Sequence, residues 1–328
     1  METVNWGIIG CGAVTELKSG PAFQKITDSN LVAVMRRDAI KAKDYALRHQ
    51  VPQWYDDAQK LINDPGVNAI YIATPPNTHA QYAIMAMKAG KPAYVEKPMA
   101  LNYKECREMI KVSEETRQKL FVAYYRRALP GFLKVKELIE DGCIGQVRYV
   151  NIRLNNPFAE GDIHPENLQW RVDPAIAGGG HFFDLASHTL DYLDFVFGPI
   201  TKAYAITENQ GGKYAAEDIV LANFKFESGV LGTGSWCFTI DPAAKEDTLE
   251  FNGEKGKIVF STFNPGPIRL LTGSRKEVIT YTNTKNIQFN LIHSIVEELT
   301  GKGTVCLSTG ISAARTSKVL DEIVKDYY

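Results

Sequence analysis

The chain has 328 residues, 45% of them hydrophobic and 23% charged, so it can bury a large core beneath an ordinary charged surface. Its formal net charge of -1 leaves no basic excess, which argues against a nucleic-acid-binding protein. Five cysteines without paired spacing argue against a disulfide framework, and we expect the reducing cytoplasm as the compartment.

The chain has none of the sequence features of a secreted, membrane or metal-binding protein. Its N-terminus carries an early acid, Glu2, and has neither a basic region nor a long apolar stretch, so we expect no signal peptide. No apolar run approaches the roughly 20 residues that a membrane-spanning helix needs. Histidines, cysteines and acids do not recur at metal-ligand spacing, so we expect no metal.

The first third of the chain alternates short apolar runs with amphipathic segments. The apolar runs predict strands at 6–9, 31–35, 69–73, 93–95 and 120–123. The amphipathic segments predict helices at 39–49, 57–63, 78–88 and 103–118. This alternation is typical of a parallel sheet with helices on both faces. We therefore predict a doubly wound α/β domain, a Rossmann fold, over residues 1–123.

After residue 124 the pattern changes to longer alternating segments with short turns. A helix is predicted at 131–141 and another at 310–327. The predicted strands are 146–154, 200–207, 219–226, 230–237, 248–251, 257–260 and 269–281. Alternation with short turns is typical of antiparallel pairing. We predict an α+β domain with a large, mostly antiparallel open sheet over 124–328, whose last helix can pack back toward the N-terminal domain.

A glycine-rich turn with the sequence GCGAVT follows the first predicted strand, at residues 10–15. The first glycine permits a tight turn, and the second lets the backbone approach a pyrophosphate at a helix N-terminus. Thr15 stands where the fingerprint usually has a third glycine or an alanine, so the match is incomplete. The turn predicts a dinucleotide site. Its predicted contacts are Gly10, Gly12, Ala13 and Val14.

The end of the second predicted strand bears on the choice of cofactor. An NAD enzyme usually places an acid there to accept hydrogen bonds from the ribose. Arg36 and Arg37 occupy this place instead, and guanidinium groups suit a ribose 2′-phosphate. The pattern favours NADP(H), whereas Asp38, the next residue, leaves NAD(H) open, and the two arginines also fit a solvated loop.

Three further motifs, together with the glycine turn, carry a family resemblance. They are TPPNTH at 74–79, EKP at 96–98 and GGGHFFDLASH at 178–188. Together they resemble the Gfo/Idh/MocA family of sugar and polyol oxidoreductases, and the resemblance extends over the whole chain. The fold of that family agrees with the two domains predicted above.

The resemblance implies roles for individual residues. Lys97 is similar to the family's active-site lysine, and Asp184 and His188 are similar to the D-x-x-x-H pair that faces it. The implied cofactor contacts, besides those of the glycine turn and the arginines, are Thr74, Pro75, Asn77, His79, Glu96, Lys97, Trp170 and Arg171. The implied substrate contacts are Arg126, Arg127 and His181, with residues 155–164 shaping the pocket. His181 departs from many relatives, so a space-filling role is open as well.

Oxidation of a secondary alcohol explains why these residue types are needed. A histidine suits proton transfer near neutral pH, and the charge of Lys97 can stabilise a developing oxyanion. Asp184 and His188 are one helical turn apart, so they can share a face. The residue types leave open which of Lys97 and His188 transfers the proton. Each also fits a structural role, as a surface lysine, a helix cap or a core histidine.

The leading hypothesis is an NAD(P)-dependent oxidoreductase that transfers a hydride between nicotinamide and a sugar, sugar derivative or cyclic polyol. One alternative is a glycosidase that acts by transient oxidation and elimination. Another is a regulator that senses cofactor and sugar without chemistry. The resemblance further implies a homodimer or homotetramer formed through the C-terminal sheet, since an uncovered apolar sheet face promotes aggregation. We expect His49, His164 and His293 to be structural or surface residues.

Overall fold

The computed structural model describes residues 1–162, 168–273 and 275–328. They form two compact units. The first contains Met1–Ala128 and Thr284–Ala314, and the second contains Leu129–Asn283 and Arg315–Tyr328. This division differs from a single boundary after residue 123, because the chain returns to the first unit at residue 284.

The first unit contains a six-stranded sheet in which all neighbouring strands pair in parallel. Its strands are β1 (Val4–Ile9), β2 (Ser29–Met35), β3 (Gln53–Tyr55), β4 (Ala69–Ile72), β5 (Ala93–Val95) and β6 (Leu120–Val122), in the order β3-β2-β1-β4-β5-β6. The five predicted strands and the Rossmann-type fold are confirmed. The edge strand β3 was not predicted, because its Gln53 and Trp54 are exposed and form no apolar run.

Two short helices, α1 (Ala13–Leu17) and α2 (Gly20–Phe23), follow the glycine turn. Four further helices of the first unit match the predicted amphipathic segments: α3 (Ala39–Arg48), α4 (Ala58–Asn63), α5 (His79–Lys88) and α6 (Tyr103–Thr116). The core between helices and sheet is rich in aromatic rings. The ring centres of Trp6 and Phe23 are 4.9 Å apart, and Tyr71 stacks on Tyr94 with ring centres 4.8 Å apart.

The second unit begins with α7 (Pro130–Glu140) and contains two further helices before its sheet continues, α8 (Pro174–Ala177) and α9 (His181–Phe197). The strands of its eight-stranded sheet are β7 (Val147–Asn155), β8 (Ile200–Glu208), β9 (Ile219–Phe226), β10 (Leu231–Cys237), β11 (Glu246–Gly253), β12 (Gly256–Phe260), β13 (Ile268–Thr272) and β14 (Lys276–Ile279). Their order is β14-β13-β12-β11-β7-β10-β9-β8. The segment predicted at 269–281 thus forms two strands.

The mostly antiparallel character of this sheet is also confirmed. Among its neighbouring strands only β7 and β10 pair in parallel. Two more helices complete the described chain, α10 (Phe289–Thr300) and α11 (Gly310–Val324). No helix within the described residues is both long and apolar enough to span a membrane.

Aromatic side chains fix α9 against the inner face of the eight-stranded sheet. The ring centre of Phe182, near the start of the helix, lies 5.1 Å from that of Trp236 of β10. The ring centre of Phe197, at the end of the helix, lies 5.4 Å from that of Phe226 and 5.0 Å from that of Phe251. Since α9 is held at both ends, the residues between them have a defined position over the sheet.

We predict that Gly234→Ala destabilises the protein, because the new Cβ would overlap the fully buried Trp236 indole on which α9 rests. Overfilling a packed core of this kind typically costs about 2 kcal/mol. Urea unfolding measures the free energy of unfolding. Gly266→Ala is the control, since its Cβ would meet only the Asn264 carbonyl oxygen, at 3.9 Å. Equal stability of the two variants would contradict this packing role.

Candidate functional site

The glycine turn brings together the carboxyl ends of three parallel strands. The N–H groups of Gly10 and Cys11 both donate to the Met35 carbonyl at the end of β2, at 2.9 and 3.2 Å. Gly10 has a φ of 95°, and a Cβ there would lie 2.8 Å from the Thr74 backbone nitrogen. Only glycine therefore fits between the turn and the segment that follows β4.

The start of α1 suits a pyrophosphate. Gly12 is its N-cap, and no side chain caps the helix. A Cβ on Gly12 would meet nothing closer than the Gly10 carbonyl oxygen at 3.8 Å, so there is open space beside it. The uncapped N–H groups and the helix dipole favour an anion at this place. These residues fit a dinucleotide.

Thr15, which departs from the fingerprint, is accommodated inside the turn. It is fully buried, and its hydroxyl donates to the Gly12 carbonyl at 2.8 Å. The Thr15 carbonyl in turn accepts the Tyr45 hydroxyl at 2.9 Å, and a Cβ on Gly20 would overlap that carbonyl. A third glycine usually permits a helix and a strand to pack closely. Here Gly20 permits close packing instead, because it has no Cβ beside the Thr15 carbonyl.

The residues after β2 differ in what they contact. Arg36 is half-buried, and its Nη1 donates to the Cys11 carbonyl at 3.4 Å, whereas Arg37 is exposed. Asp38 caps α3 by accepting the Lys41 N–H at 3.1 Å. This hydrogen bond is the main reason why the pKa of Asp38 lies below its ordinary value.

His79 connects two of the predicted motifs. Its ring is fully buried, with Nε2 2.7 Å from the Thr74 carbonyl oxygen and Nδ1 2.9 Å from that of Pro98. Burial lowers the pKa of His79, against the opposing effect of these hydrogen bonds. His79 therefore ties the TPPNTH motif to the EKP motif. Asn77 between them is exposed, and Thr78 donates to the Pro75 carbonyl at 3.0 Å.

The EKP motif directly follows β5, and its glutamate lies inside the protein. Glu96 is 7% exposed and accepts three hydrogen bonds within the first unit. The donors are the Tyr71 hydroxyl at 2.5 Å, Gln288 Nε2 at 2.6 Å and the Lys97 N–H at 3.2 Å. The adjoining Lys97 is half-buried. Gln288 was not among the predicted site residues.

The two arginines with a predicted substrate role are buried in the first unit. Arg127 is 3% exposed and donates to the Leu307 carbonyl at 3.1 Å. Arg126 is 5% exposed, and its guanidinium lies 5.2 Å from the centre of the Tyr125 ring. Arg127 thus holds the segment that leads into α11, and this contact was not predicted from the sequence. Their contact with substrate stays a prediction.

In the second unit, the structure brings together three of the predicted residues. Arg171 Nε lies 3.4 Å from Asp184 Oδ2, and its guanidinium stacks over the Trp170 ring at 4.5 Å. Asp184 lies within the first turn of α9, whose N-cap is Gly180, so it is not the helix cap. His188 follows one turn later, is 4% exposed, and has its ring centre 6.0 Å from that of Phe263.

His181 is held by an acid. Its Nε2 lies 2.5 Å from Oδ2 of Asp162, whose side chain is 1% exposed. Its ring also lies 5.4 Å from that of Phe238 and 6.1 Å from that of Tyr214. His181 therefore links α9 to the short helical turn Glu160–Asp162. Of the predicted pocket segment 155–164, Ile163 and His164 lie outside the described residues.

Two acids that the sequence did not single out support the same helix and its surroundings. Both oxygens of the buried Glu217 accept the Gly180 N–H, at 2.9 Å, at the start of α9. Burial raises the pKa of Glu217 above its ordinary value. Asp247 accepts three successive N–H groups, those of Thr262, Phe263 and Asn264, at 2.7–3.0 Å. Asp247 thereby fixes the loop in which the ring of Phe263 lies beside that of His188.

His49 and His293 have local partners. His49 Nε2 lies 2.7 Å from Glu16, which also pairs with Arg48. These hydrogen bonds, above all those from Arg48, lower the pKa of Glu16 to about 2. His293 lies on the surface, 3.6 Å from Glu297. Within the described part of the chain, no group of three potential ligands is arranged to hold a metal ion.

Both units match models of one family. Residues 4–124 match the oxidoreductase family with an NAD-binding Rossmann fold, and residues 132–259 match the GFO/IDH/MocA C-terminal domain. Oxidoreductase P35 from Formosa agariphila is 40% identical over 89% of this chain and 90% of its own length. The chain therefore belongs to the Gfo/Idh/MocA family of oxidoreductases, and the family resemblance seen in its sequence is confirmed.

Other similarities extend over nearly the whole chain. The 1,5-anhydro-D-fructose reductase of Ensifer adhaerens is 27% identical over 95% of this chain and 96% of its own length. A levoglucosan dehydrogenase in complex with NADH has the same fold, with a TM-score of 0.87 and 23% identity over 98% of this chain and 96% of that one. The prediction of an NAD(P)-dependent oxidoreductase is confirmed at the level of an NAD-binding oxidoreductase family.

Proposed function

We propose that this protein transfers a hydride between a nicotinamide cofactor and a sugar, sugar derivative or cyclic polyol. The observation that carries the proposal is the arrangement on α9, where Asp184 and His188 lie one turn apart and Arg171 pairs with Asp184. The relative named 1,5-anhydro-D-fructose reductase supports a sugar as substrate. The bound nicotinamide supplies the site that accepts or donates the hydride.

The protein's own residues handle the proton and the charge. Lys97 supplies a positive charge that stabilises the developing oxyanion. His188, nearly buried beside Phe263, offers a ring nitrogen that can accept or donate the proton of the reacting hydroxyl. Asp184 is 24% exposed while paired with Arg171, so its carboxylate can bind a substrate hydroxyl or orient His188. Arg171 and Trp170 bind the nicotinamide half of the cofactor.

We also propose NADP(H) as the preferred cofactor. Arg37 is exposed at the end of β2, so its guanidinium is accessible to a 2′-phosphate. Asp38, the acid that would accept bonds from an unphosphorylated ribose, already accepts a backbone N–H and pairs with Lys41 at 3.5 Å. The five free cysteines support a reducing compartment, for which we propose the cytoplasm.

We further propose a homodimer or homotetramer formed through the outer face of the eight-stranded sheet. On this face Ile206 of β8 lies opposite Leu221 of β9, and Leu231 of β10 lies opposite Tyr149 of β7. Ile206 is 70% exposed, and the other three are about half-exposed. Large apolar side chains exposed at separate places on one sheet face favour a protein–protein interface there.

The proposed reaction predicts turnover that depends on Lys97. Nicotinamide absorbance would be followed with both reduced cofactors and a panel of keto-sugars that includes 1,5-anhydro-D-fructose. Lys97→Ala should lower kcat by about 100-fold, the usual loss when a group that stabilises the transition state is removed. Lys88→Ala, an exposed lysine at the end of α5, should leave kcat unchanged.

No turnover over a broad panel would refute the proposed reaction. Release of the aglycone from an aryl glycoside without net change of cofactor would indicate the glycosidase instead. Tight binding of cofactor and sugar without any turnover would indicate a regulator.

The cofactor proposal predicts different effects on the two cofactors. Arg37→Ala should raise the KM for NADPH by about tenfold, the loss expected for a charged hydrogen bond, and leave that for NADH nearly unchanged. Arg36→Ala should raise the KM for both NADPH and NADH, because Arg36 also donates a hydrogen bond to the Cys11 carbonyl in the glycine turn. Lys43→Ala, exposed on α3, is the control. Equal losses with NADPH and NADH for Arg37→Ala would show that Arg37 does not bind the phosphate.

The interface proposal predicts that a single charge on the sheet face disrupts the oligomer. In sedimentation velocity at micromolar concentration, the wild-type protein should be a dimer or tetramer, and Ile206→Glu should shift it to a smaller species. Ile40→Glu places the same charge on α3, at a side chain that is 83% exposed, and should have no effect. A monomeric wild-type protein would refute the proposal.

A further inference from the structure

Gln288 connects two polar groups in the interior of the first unit. It is fully buried at the start of α10. Its Nε2 donates to Glu96 Oε1 at 2.6 Å, and its Oε1 accepts the Tyr94 hydroxyl at 2.8 Å. One amide thus completes a chain of hydrogen bonds from Tyr94 through Gln288 to Glu96.

The protonation of two tyrosines fixes the direction of this chain. Burial, and then the charge of Glu96, raise the pKa values of Tyr71 and Tyr94 well above 10. Both hydroxyls therefore keep their protons and donate. Tyr71 donates to Glu96 and Tyr94 to the Gln288 carbonyl oxygen, so the Gln288 amide has a single favourable orientation, with its NH₂ toward the Glu96 carboxylate.

The same segment also holds the end of the helix that follows the glycine turn. The Gln288 N–H donates to the Lys18 carbonyl at 3.2 Å. Two residues earlier, Asn286 donates to the Leu17 carbonyl at 2.6 Å and accepts Lys25 Nζ at 2.8 Å. Gln288 is therefore bonded both to the end of α1 and to the residue that precedes Lys97.

We propose that Gln288 is a positioning residue for Lys97. Its amide holds the Glu96 carboxylate in place, and Glu96 Oε2 in turn accepts the Lys97 N–H. Without the amide, Glu96 would lose one of two donors to the same oxygen, and the backbone at Lys97 would lose its fixed partner. This inference rests on the proposed role of Lys97 in the reaction.

The other charged and titratable groups around Glu96 come from neighbouring elements. Tyr71 lies on β4, Tyr94 lies on β5, and Lys97 directly follows Glu96 in the chain. The charge of Glu96 also acts on His79 of α5, where it opposes the lowering of the pKa by burial. The two tyrosines do not titrate in the working range of an enzyme. A carboxyl group introduced at position 288 would therefore add an ionisation that the wild-type site lacks.

The test compares Gln288→Leu and Gln288→Glu by the pH dependence of kcat. Gln288→Leu removes the donor and should lower kcat by about tenfold at every pH, while the Kd for cofactor, measured by fluorescence, changes less. Gln288→Glu places a second carboxyl group beside Glu96, and two adjacent carboxylates share one proton. At low pH the protonated carboxyl can donate to Glu96, so kcat should approach the wild-type value. As pH rises and this proton is lost, kcat should fall by about tenfold relative to wild type.

Asn286→Ala is the matched control, because it loosens the same segment from α1 and does not contact Glu96. It should lower the thermal midpoint and keep the wild-type pH profile. If the wild-type protein turns over but both Gln288 variants keep its kcat profile, or lose activity equally at every pH, the positioning role is refuted and the proposed function stands. If the wild-type protein does not turn over, the proposed function fails, and the role of Gln288 fails with it.

Discussion

The pairing of β1 with both β2 and β4 in parallel is the constraint on which the first unit depends. It sends the chain in opposite directions across the sheet from one central strand, so the carboxyl ends of three strands meet around the turn at Gly10. A ligand site is expected at such a switch point. The positive φ of Gly10 and its close approach to Thr74 show how little room this meeting leaves, and why the open space lies at Gly12 instead.

Three carboxylates, of which Glu96 and Glu217 are buried, fix the backbone around the candidate residues within each unit. Glu96 is held by Tyr71 and Gln288, and Glu217 holds the start of α9 through the Gly180 N–H. Asp247 holds the loop with Phe263. An isolated charge inside a protein is unfavourable, so each of these acids is accompanied by donors that satisfy it. The same donors limit the movement of the neighbouring backbone, which favours a preorganised site.

Local patterns in the sequence predicted much of this arrangement. The strand pattern, the glycine turn and the D-x-x-x-H spacing depend on residues close together in the chain, and the fold that they imply is confirmed. The amphipathic spacing of Leu291, Ile292, Ile295 and Val296 could have predicted α10 as well. The roles of Gln288 and Asp247 had no such signal. Gln288 and Glu96 are 192 residues apart, and nothing in either segment indicates that they meet. His79 and Glu96, for which the family pattern implied cofactor contacts, are also hydrogen-bonded within the protein, and their contact with cofactor stays a prediction.

The central claim is that the protein moves a hydride between nicotinamide and a sugar carbon. The most direct measurement uses a reduced cofactor that carries deuterium at the transferable position, with mass spectrometry of the sugar product. The account predicts one deuterium on the carbon that was the carbonyl carbon, and none on that carbon when only the solvent is deuterated. A product that takes this hydrogen from solvent, or a sugar cleaved without transfer from the cofactor, would contradict it.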